Sequence, residues 1–251
     1  MAPIVLVCSV QLEVEPLLRF TAPVERLPSP RLTAWEARLS GRPILVLVAG
    51  MGKTNAAHAL TVLLERREIS GIIGFGIAGA YHGSGLRVGD VAVASAEHYG
   101  DEGVEGPQGW ISCKGMGIPL IDSDARRYYN DLPVNASALA AARAALRKAG
   151  IRSSEGPFVT VSSCSGTLER GAELHGRYAA LCETMEGAAY AHVAALYEIP
   201  FLELRGVSNL VEDRDTSRWM LREAADAAAA ALPPIVGAWP FEPGPDEAEQ
   251  S

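Results

Sequence analysis

Cysteine is scarce in this chain, and what there is shows no pattern. Its four cysteines, Cys8, Cys113, Cys164 and Cys182, are scattered, with no CxxC pair and no spacing typical of metal ligands. This argues against a disulfide framework and against a cysteine metal site. We therefore expect a reduced, cytoplasmic protein.

Basic charge and long apolar runs are also lacking. Only 22 Lys and Arg stand against 30 Asp and Glu, and the net charge is -8. Such a balance argues against nucleic acid or an anionic membrane as the main partner. No apolar run reaches membrane-spanning length, and the five histidines show no metal spacing. We expect no nucleic-acid partner, no membrane partner, no metal and no cofactor.

What is present is an acidic chain of 251 residues that is 48% hydrophobic, long enough for one well-buried domain. We place this domain at residues 1–239. The first residues, APIVLVCSV, lack a basic leader and predict a strand rather than a signal peptide. The end, from Pro240 through FEPGPDEAEQS, is predicted to be disordered over 240–251.

Strand and helix patterns alternate along the chain, which predicts an α/β fold with helices on both sides of a mixed sheet. The segment from Gly100 to Pro133, rich in Gly, Pro and polar residues, predicts an irregular surface excursion. The predicted strands are Ile4 to Ser9, Ile44 to Ala49, Ile72 to Gly76, Val88 to Ala94, Phe158 to Ser162 and Phe201 to Val207, and the clearest helices are Ala136 to Lys148 and Trp219 to Ala231.

The stretch ETMEGAAYAHVAALYEIPFLELRGVSN is the most informative of the chain. Met185 and Glu186 precede an alanine-rich helix, and Ser208 and Asn209 follow a strand. Strand ends and helix starts are where ligands bind in open α/β sheets, so both pairs are predicted to face one pocket. Glu186 could accept hydrogen bonds from the vicinal hydroxyls of a sugar, against which Met185 could pack. The alternative is a solvated glutamate stabilised by the helix dipole.

Six segments of the chain, taken in order, resemble the nucleoside phosphorylase and nucleosidase superfamily: LVCSVQLEVEPLL, VAGMGKTNAAHAL, GFGIAGAY, LRVGDVAVASAEHYGDEG, TMEGAAYAHV and LRGVSNLVEDRDTSRWM. The resemblance covers most of the chain and is greatest to the hydrolytic branch of methylthioadenosine/S-adenosylhomocysteine nucleosidases and futalosine hydrolases. It implies a single-domain, three-layer α/β fold with a central mixed sheet flanked by helices. It also implies a small-molecule nucleoside as ligand and a homodimer or larger homo-oligomer, in which Gly100 to Pro133 could close a neighbour's pocket.

The segment AGMGKTNAAHAL invites a phosphate-loop interpretation, but Leu47 stands where that motif needs its first glycine. The resemblance instead implies a tight turn, with Met51 as an apolar wall beside the substrate's 5′ substituent. It also places Ile77, Ala78 and Gly79 of the glycine-rich strand beside the substrate.

The nucleophile can be water or phosphate, and the two need opposite charges around them. The resemblance places Gly74 where bacterial phosphorylases of the superfamily carry an arginine, and Glu13 where nucleosidases carry the carboxylate that activates water. Glu15 is expected at the surface. Arg205 could orient Glu186 and the water, or could form a structural ion pair. Ile77 replaces a water-binding serine of the methylthioadenosine enzymes, which leaves the water's second contact open.

The base-binding position carries Asn209 where the methylthioadenosine enzymes have an aspartate. A carboxamide can donate to a 6-oxo group and accept from the protonated ring nitrogen beside it, whereas adenine's amine would meet a second donor. We therefore predict hypoxanthine as the leaving group, which favours the futalosine hydrolases of menaquinone synthesis within the branch. The alternative is a turn asparagine at a strand end.

Further candidates come from the same resemblance. Backbone at Ser163 and Cys164 is expected at the base edge, with Cys164 a lining residue rather than a nucleophile. Trp219 and Arg214 could contact an aromatic carboxylate on the substrate's 5′ arm. Helix-capping or surface roles fit Arg214 and Arg218 equally well. Alternatives that stay open are an adenine-releasing nucleosidase, a phosphorylase and a catalytically inactive nucleoside-binding protein.

Overall fold

The computed structural model describes residues 1–21, 24–27, 32–123 and 126–241. The strands in these ranges are β1 (Ile4–Cys8), β2 (Val24–Arg26), β3 (Thr33–Leu39), β4 (Arg42–Val48), β5 (Gly71–Ala80), β6 (Val91–Tyr99), β7 (Gly103–Gly106), β8 (Gly109–Ser112), β9 (Ile121–Asp122), β10 (Arg127–Tyr128), β11 (Asp131–Pro133), β12 (Ser153–Thr160), β13 (Cys182–Thr184) and β14 (Phe201–Leu210). The helices are α1 (Gln11–Leu17), α2 (Lys53–Leu64), α3 (Cys113–Met116), α4 (Ala136–Lys148), α5 (Leu168–Tyr178), α6 (Gly187–Leu196) and α7 (Leu221–Gly237).

The central sheet is mixed and, within the described ranges, has ten strands. Its order is β11, β6, β12, β13, β5, β1, β4, β3 and β2, and β14 pairs with both β5 and β6. Strands β4, β1, β5 and β14 are parallel neighbours, while β14 runs antiparallel to β6 and β13 antiparallel to β5. Strands β5, β14, β6, β12 and β13 therefore close into a ring, with β1 and β4 extending from it.

Helices cover both faces of the sheet, as the alternating pattern predicts. Apolar side chains of α2 and α6 form one core cluster with the sheet, and side chains of α1, α4 and α7 form a second cluster on the other face. The short buried runs of β1 and β4 are apolar throughout because helices cover such parallel strands on both sides. The predicted three-layer α/β fold is confirmed.

The observed bounds correct several predicted ones. Helix α4 has the predicted bounds, and Asn135 caps it by accepting the N–H groups of the second and third helical residues. The predicted Val88 strand begins instead at Val91, after a turn, and runs on to Tyr99. The predicted helix at Trp219 begins at Leu221, because a 3-10 turn at Thr216–Arg218 precedes it.

The segment from Gly100 to Pro133 is more ordered than predicted. It contains the hairpin of β7 and β8, the short helix α3, and the small strands β9, β10 and β11, the last of which joins the central sheet. These elements are only two to four residues long, and short elements among glycines leave no periodic pattern to detect.

The predicted disordered tail lies almost wholly outside the described residues, from 242 onward. Phe241 is described, and its ring lies edge-on to the buried Trp239, with 5.7 Å between ring centroids. The domain boundary at residue 239 stays a prediction. In the described part of the chain, no helix has the length and apolarity needed to cross a bilayer.

Candidate active site

One edge of the sheet gathers the polar side chains that the sequence singles out. The parallel strands β1, β5 and β14 all end there, and α1, α2 and α6 begin there. Carboxyl ends of parallel strands and helix starts commonly build ligand sites in α/β folds.

Glu13 is buried, with 2% of its surface exposed, although it lies in the first turn of α1. Its Oε2 accepts hydrogen bonds from the Ser9 amide (2.8 Å), the Ser9 hydroxyl (2.9 Å) and the Val10 amide (3.1 Å), and its Oε1 accepts from the Ile77 amide (2.9 Å). Four donors therefore fix the carboxylate in a single orientation. Glu15, two residues further on, is exposed as predicted.

Glu186 is also buried, with 3% exposed, so it is not the solvated helix-start glutamate of the alternative interpretation. It stands at the N-cap of α6, yet its carboxylate makes no capping bond to that helix. The first two helical N–H groups are taken instead by the hydroxyls of Thr184 (3.3 Å) and Thr160 (2.7 Å). The Glu186 Oε1 atom accepts from the Gly52 amide at 2.7 Å, which brings the predicted tight turn into the site.

Arg205 places one buried guanidinium between these two glutamates. Its Nη1 lies 3.7 Å from Glu13 Oε1 and its Nη2 lies 4.0 Å from Glu186 Oε2. Its shortest contact is a hydrogen bond from Nε to Oε1 of Glu203 at 2.7 Å. The sequence analysis assigned no role to Glu203, yet the i and i+2 spacing on one strand is a signal that both side chains lie on the same face.

Charges in this cluster act strongly on one another because all are out of water. Burial opposes the charge of Arg205, but Glu203, Glu13 and Glu186 raise its pKa, so it stays a cation. Burial raises the pKa of Glu186, and the attraction of Arg205 only partly offsets this.

Two glycines of β5 make the close packing possible. A Cβ at Gly76 would lie 2.2 Å from Glu13 Oε1 and 2.7 Å from Arg205 Nη1. A Cβ at Gly74 would lie 2.8 Å from Glu203 Oε2. The glycine-rich strand therefore passes directly beside the buried charges, and a side chain at position 74, such as the phosphorylases' arginine, would collide with Glu203.

Ser208 and Asn209 lie within β14, which runs three residues beyond its predicted end. The register with β5 shifts after Val207, so that Asn209 pairs with Gly79. Such a bulge re-aims the side chains that follow it. Asn209 is thus a half-buried strand residue, not a turn residue.

The Asn209 carboxamide is only partly used by the protein. Its Nδ2 donates to the Leu210 carbonyl at 3.0 Å, and its Oδ1 lies 2.8 Å from the Ser208 hydroxyl. The same hydroxyl lies 3.1 Å from the Ala78 carbonyl, and its one proton can serve one acceptor at a time. One amide hydrogen and one oxygen lone pair of Asn209 stay available for a ligand.

The remaining candidates lie at the outer side of this edge. Met51 is 62% exposed and precedes Gly52, while Met185 is half-buried before Glu186. Ser163 and Cys164 are exposed residues after β12. The Cys164 thiol itself is nevertheless partly buried, and this burial, with the charges of Glu183 and Glu186, raises its pKa to about 11, so it stays protonated.

Arg214 does not point freely into solvent. Its guanidinium lies over the Trp219 ring, 4.8 Å from the centroid. The two residues predicted to contact the 5′ arm thus contact each other, and their roles toward a ligand stay predictions.

Lys53 belongs to a neighbouring cluster that the sequence analysis missed. Its Nζ donates to Asp101 (2.6 Å) and Glu102 (2.7 Å), and Asp101 also accepts the Ser162 amide. Although burial opposes it, these carboxylates raise the pKa of Lys53. The lysine of the apparent phosphate loop therefore ties α2 to the segment after β6.

Comparisons with known proteins identify the family of this chain. The model of the phosphorylase superfamily matches residues 3–236. Futalosine hydrolase of Thermus thermophilus is 32% identical to this chain, over 79% of this chain and 83% of the relative. A 5′-methylthioadenosine/S-adenosylhomocysteine nucleosidase of Geobacillus thermodenitrificans is 31% identical, over 78% of this chain and 79% of the relative.

The fold has close structural counterparts as well. The crystal structure of 5′-methylthioadenosine/S-adenosylhomocysteine nucleosidase from Neisseria meningitidis, in complex with methylthio-immucillin-A, superposes with a TM-score of 0.82 at 23% identity, covering 94% of this chain and 99% of that one. With the superfamily model spanning nearly the whole described chain, and with relatives above 30% identity, the chain belongs to the phosphorylase superfamily.

Proposed function

We propose that the chain is an N-glycosyl hydrolase that cleaves the N-ribosidic bond of futalosine and releases hypoxanthine. Three futalosine hydrolases, 31% to 33% identical over 77% to 79% of this chain, support this function, and a methylthioadenosine enzyme, 31% identical over 78%, represents the second candidate. The observation that carries the proposal is the half-buried carboxamide of Asn209 beside the Glu13, Glu186 and Arg205 cluster.

The charge of the cluster favours water over phosphate as the nucleophile. Glu13, Glu186 and Glu203 surround a single arginine, and all four side chains are buried. A phosphate dianion would add like charge to this site, where repulsion is poorly screened. Glu13, in contrast, is a fixed carboxylate that can take a proton from water.

The mechanism follows from the positions of the three polar side chains. Glu186 accepts hydrogen bonds from the ribose hydroxyls and holds the sugar. Glu13 prepares water for attack at the anomeric carbon, where positive charge develops as the bond to the base breaks. Asn209 stabilises the departing base through its free amide hydrogen and lone pair, and the base takes up a proton from solvent, which balances the proton that Glu13 takes from water.

Hydrogen-bond polarity selects the base. The carboxamide donates to the 6-oxo group of hypoxanthine and accepts from the adjacent ring N–H. The Ser208 hydroxyl and the Leu210 carbonyl fix the orientation of this carboxamide. Adenine presents an amine and a bare ring nitrogen at these places, so in this orientation donor meets donor and acceptor meets acceptor. Each mismatch costs on the order of 1 to 3 kcal/mol in a buried site.

Asn209→Asp is expected to move the preference from 6-oxo toward 6-amino substrates. The ratio of kcat/KM for futalosine to that for its 6-amino analogue should fall by about thirtyfold or more, since one such mismatch is relieved and another created. The variant also loses the bond to the Leu210 carbonyl, so its thermal unfolding is measured in parallel.

Asn135→Asp is the matched control, because Asn135 caps α4 and aspartate caps a helix equally well. Its kcat/KM ratio should equal that of the parent. A ratio that stays unchanged in Asn209→Asp would contradict the assignment of the base.

The direct test of the whole proposal offers futalosine, its 6-amino analogue, methylthioadenosine and inosine to the purified protein, with and without inorganic phosphate. Chromatography identifies the released base. Hypoxanthine from futalosine, at the same rate without phosphate, is the expected result. Adenine as the main product would support the second candidate, an adenine-releasing nucleosidase, and obligatory phosphate would indicate a phosphorylase.

A further inference from the structure

Two buried carboxyl groups, Glu97 and Glu203, contact no substrate group in the mechanism above. Glu97 lies on β6 and Glu203 on β14, and neither has any exposed surface. Among the described residues, both oxygens of Glu97 and the Oε2 atom of Glu203 have no hydrogen-bond partner. Unpaired buried oxygens of this kind are costly and call for an explanation.

The two carboxyl groups converge on one point. A Cβ at Gly187 would lie 2.6 Å from Oε2 of Glu97 and 2.6 Å from Oε2 of Glu203. Gly187 is the first residue of α6 and directly follows Glu186. The pair therefore lies against the backbone that carries the sugar-binding glutamate.

Two bare carboxylates in such a place would repel each other in a medium that screens charge poorly. The cation nearby, Arg205, makes its hydrogen bond to the other oxygen of Glu203, not to Oε2. A single proton removes the repulsion and supplies the missing donor, as in carboxyl pairs that share one proton.

The surroundings of the two carboxyl groups indicate which of them holds the proton. Burial raises the pKa of Glu97, and the charge of Glu203 raises it further, against the smaller effect of Arg205. Burial also raises the pKa of Glu203, but Arg205 opposes this both by its charge and by its hydrogen bond. Glu97 is thus the acid and Glu203 the carboxylate.

We propose that Glu97 donates a proton to Oε2 of Glu203, and that this acid–carboxylate pair positions Arg205 between Glu13 and Glu186. Glu97 is a positioning residue that acts through Glu203 and the guanidinium. Its effect on turnover rests on the proposed function, since Glu13 and Glu186 must be the working groups; the shared proton itself does not.

Glutamine and leucine variants of the pair distinguish the effect of the shared proton from the effect of side-chain size. In Glu97→Gln, the amide donates to Glu203 in place of the acid. In Glu203→Gln, the amide oxygen accepts from Arg205 and the NH₂ group donates to Glu97, which then carries the charge. Each single variant keeps one negative charge and one donor, so kcat should stay within about threefold of the parent.

Glu97→Leu leaves Oε2 of Glu203 without a donor, and the double variant Glu97→Gln/Glu203→Gln removes the negative charge. Both should lose about tenfold or more in kcat, because Glu13 acts in the reaction step, and KM should rise as well, because Glu186 holds the sugar. Glu68→Leu, at an exposed position, is the control and should match the parent. A loss in Glu97→Gln as large as in Glu97→Leu, or normal turnover in the double variant, overturns the proposal.

A spectroscopic test needs no substrate and therefore separates this proposal from the proposed function. Infrared spectra with isotope-labelled glutamate should show the C=O stretch of a protonated carboxylic acid at neutral pH, and the band should disappear in Glu97→Gln. A parent protein without this band at neutral pH overturns the shared proton, whatever the enzyme hydrolyses. The double glutamine variant keeps the test available if Glu97→Leu fails to fold.

Stability against pH gives a further expected result. The charged groups that act on Glu97 are Glu203 and Arg205 on β14, and Glu97 in turn raises the pKa of Cys182 on β13 and of Tyr99 on its own strand. Because the pKa of Glu97 is raised on folding, its contribution to stability is complete below its unfolded value, about 4.3, and is lost as pH rises through the folded pKa. The Tm of Glu97→Gln relative to the parent should therefore increase as pH rises from the unfolded pKa through the raised folded pKa of Glu97; parallel Tm curves would contradict a raised Glu97 pKa.

Discussion

Glu13→Gln is expected to lower kcat for futalosine by about a thousandfold while futalosine binding is retained, because a positioned general base typically contributes on the order of 10² to 10⁴. The amide cannot take a proton from water at neutral pH. The side chain otherwise keeps its length and its place in α1. Steady-state rates and titration calorimetry with futalosine would measure the two quantities separately.

The structure shows that glutamine is not a neutral replacement here. Both carboxylate oxygens of Glu13 accept backbone or hydroxyl hydrogens, and an NH₂ group must face either the Ile77 amide or the donors of Ser9 and Val10. This mismatch costs on the order of 1 to 3 kcal/mol, so the Tm of the variant should fall as well.

The control for this experiment is Glu15→Gln, two residues away on the exposed side of α1. It removes the same charge from the same helix and should leave both rate and Tm near the parent values. Near-normal turnover by Glu13→Gln would remove Glu13 from the mechanism. Lost binding together with lost turnover would indicate instead that the carboxylate shapes the pocket.

Gly76→Ala is expected to lower kcat/KM by about a hundredfold or more and to lower Tm. The new Cβ would lie 2.2 Å from Glu13 Oε1, so the carboxylate must move and lose hydrogen bonds. Small shifts of a catalytic group of this kind cost about 10²-fold in rate. Overpacking a filled interior costs about 1 to 3 kcal/mol, and the backbone φ of +152° adds strain for any residue with a side chain.

Gly176→Ala is the matched control, because among the described residues nothing lies within 4 Å of the added Cβ. Alanine in the last turn of α5 should raise stability by up to about 1 kcal/mol without a change in rate. Parent-like turnover and Tm in Gly76→Ala would show that Glu13 can move without consequence, which would contradict a fixed base.

The general fold could be predicted because six short segments in fixed order resemble one superfamily, and the local helical pattern placed α4 with its observed bounds. The C-terminal ends of β6 and β14 could not be predicted in this way. Glu97 near the end of β6 looks like a surface residue in sequence, yet it is buried, and the bulge at Ser208 interrupts the alternation that marks β14 as a strand. Only neighbours distant in sequence determine either feature.

The candidate site could likewise be predicted only in part from the sequence. Asn209 and Glu186 could be selected from their positions at a strand end and a helix start, but their surroundings could not. Burial of Glu13 depends on Gly76 passing beside it, and the carboxyl pair of Glu97 and Glu203 depends on the contact between β6 and β14. The functional roles of all these residues stay predictions for the experiments above.

The ring of β5, β14, β6, β12 and β13 has one consequence for motion. Strand β14 has a hydrogen-bonded neighbour on each side, so it is not an edge strand that could separate from the sheet. Amide protons of Leu204 and Arg205 should then exchange with deuterated solvent only through global unfolding, as slowly as the most protected amides of the chain. Opening of the candidate active site must therefore come from the loops and helix starts around it, while β14 keeps its position.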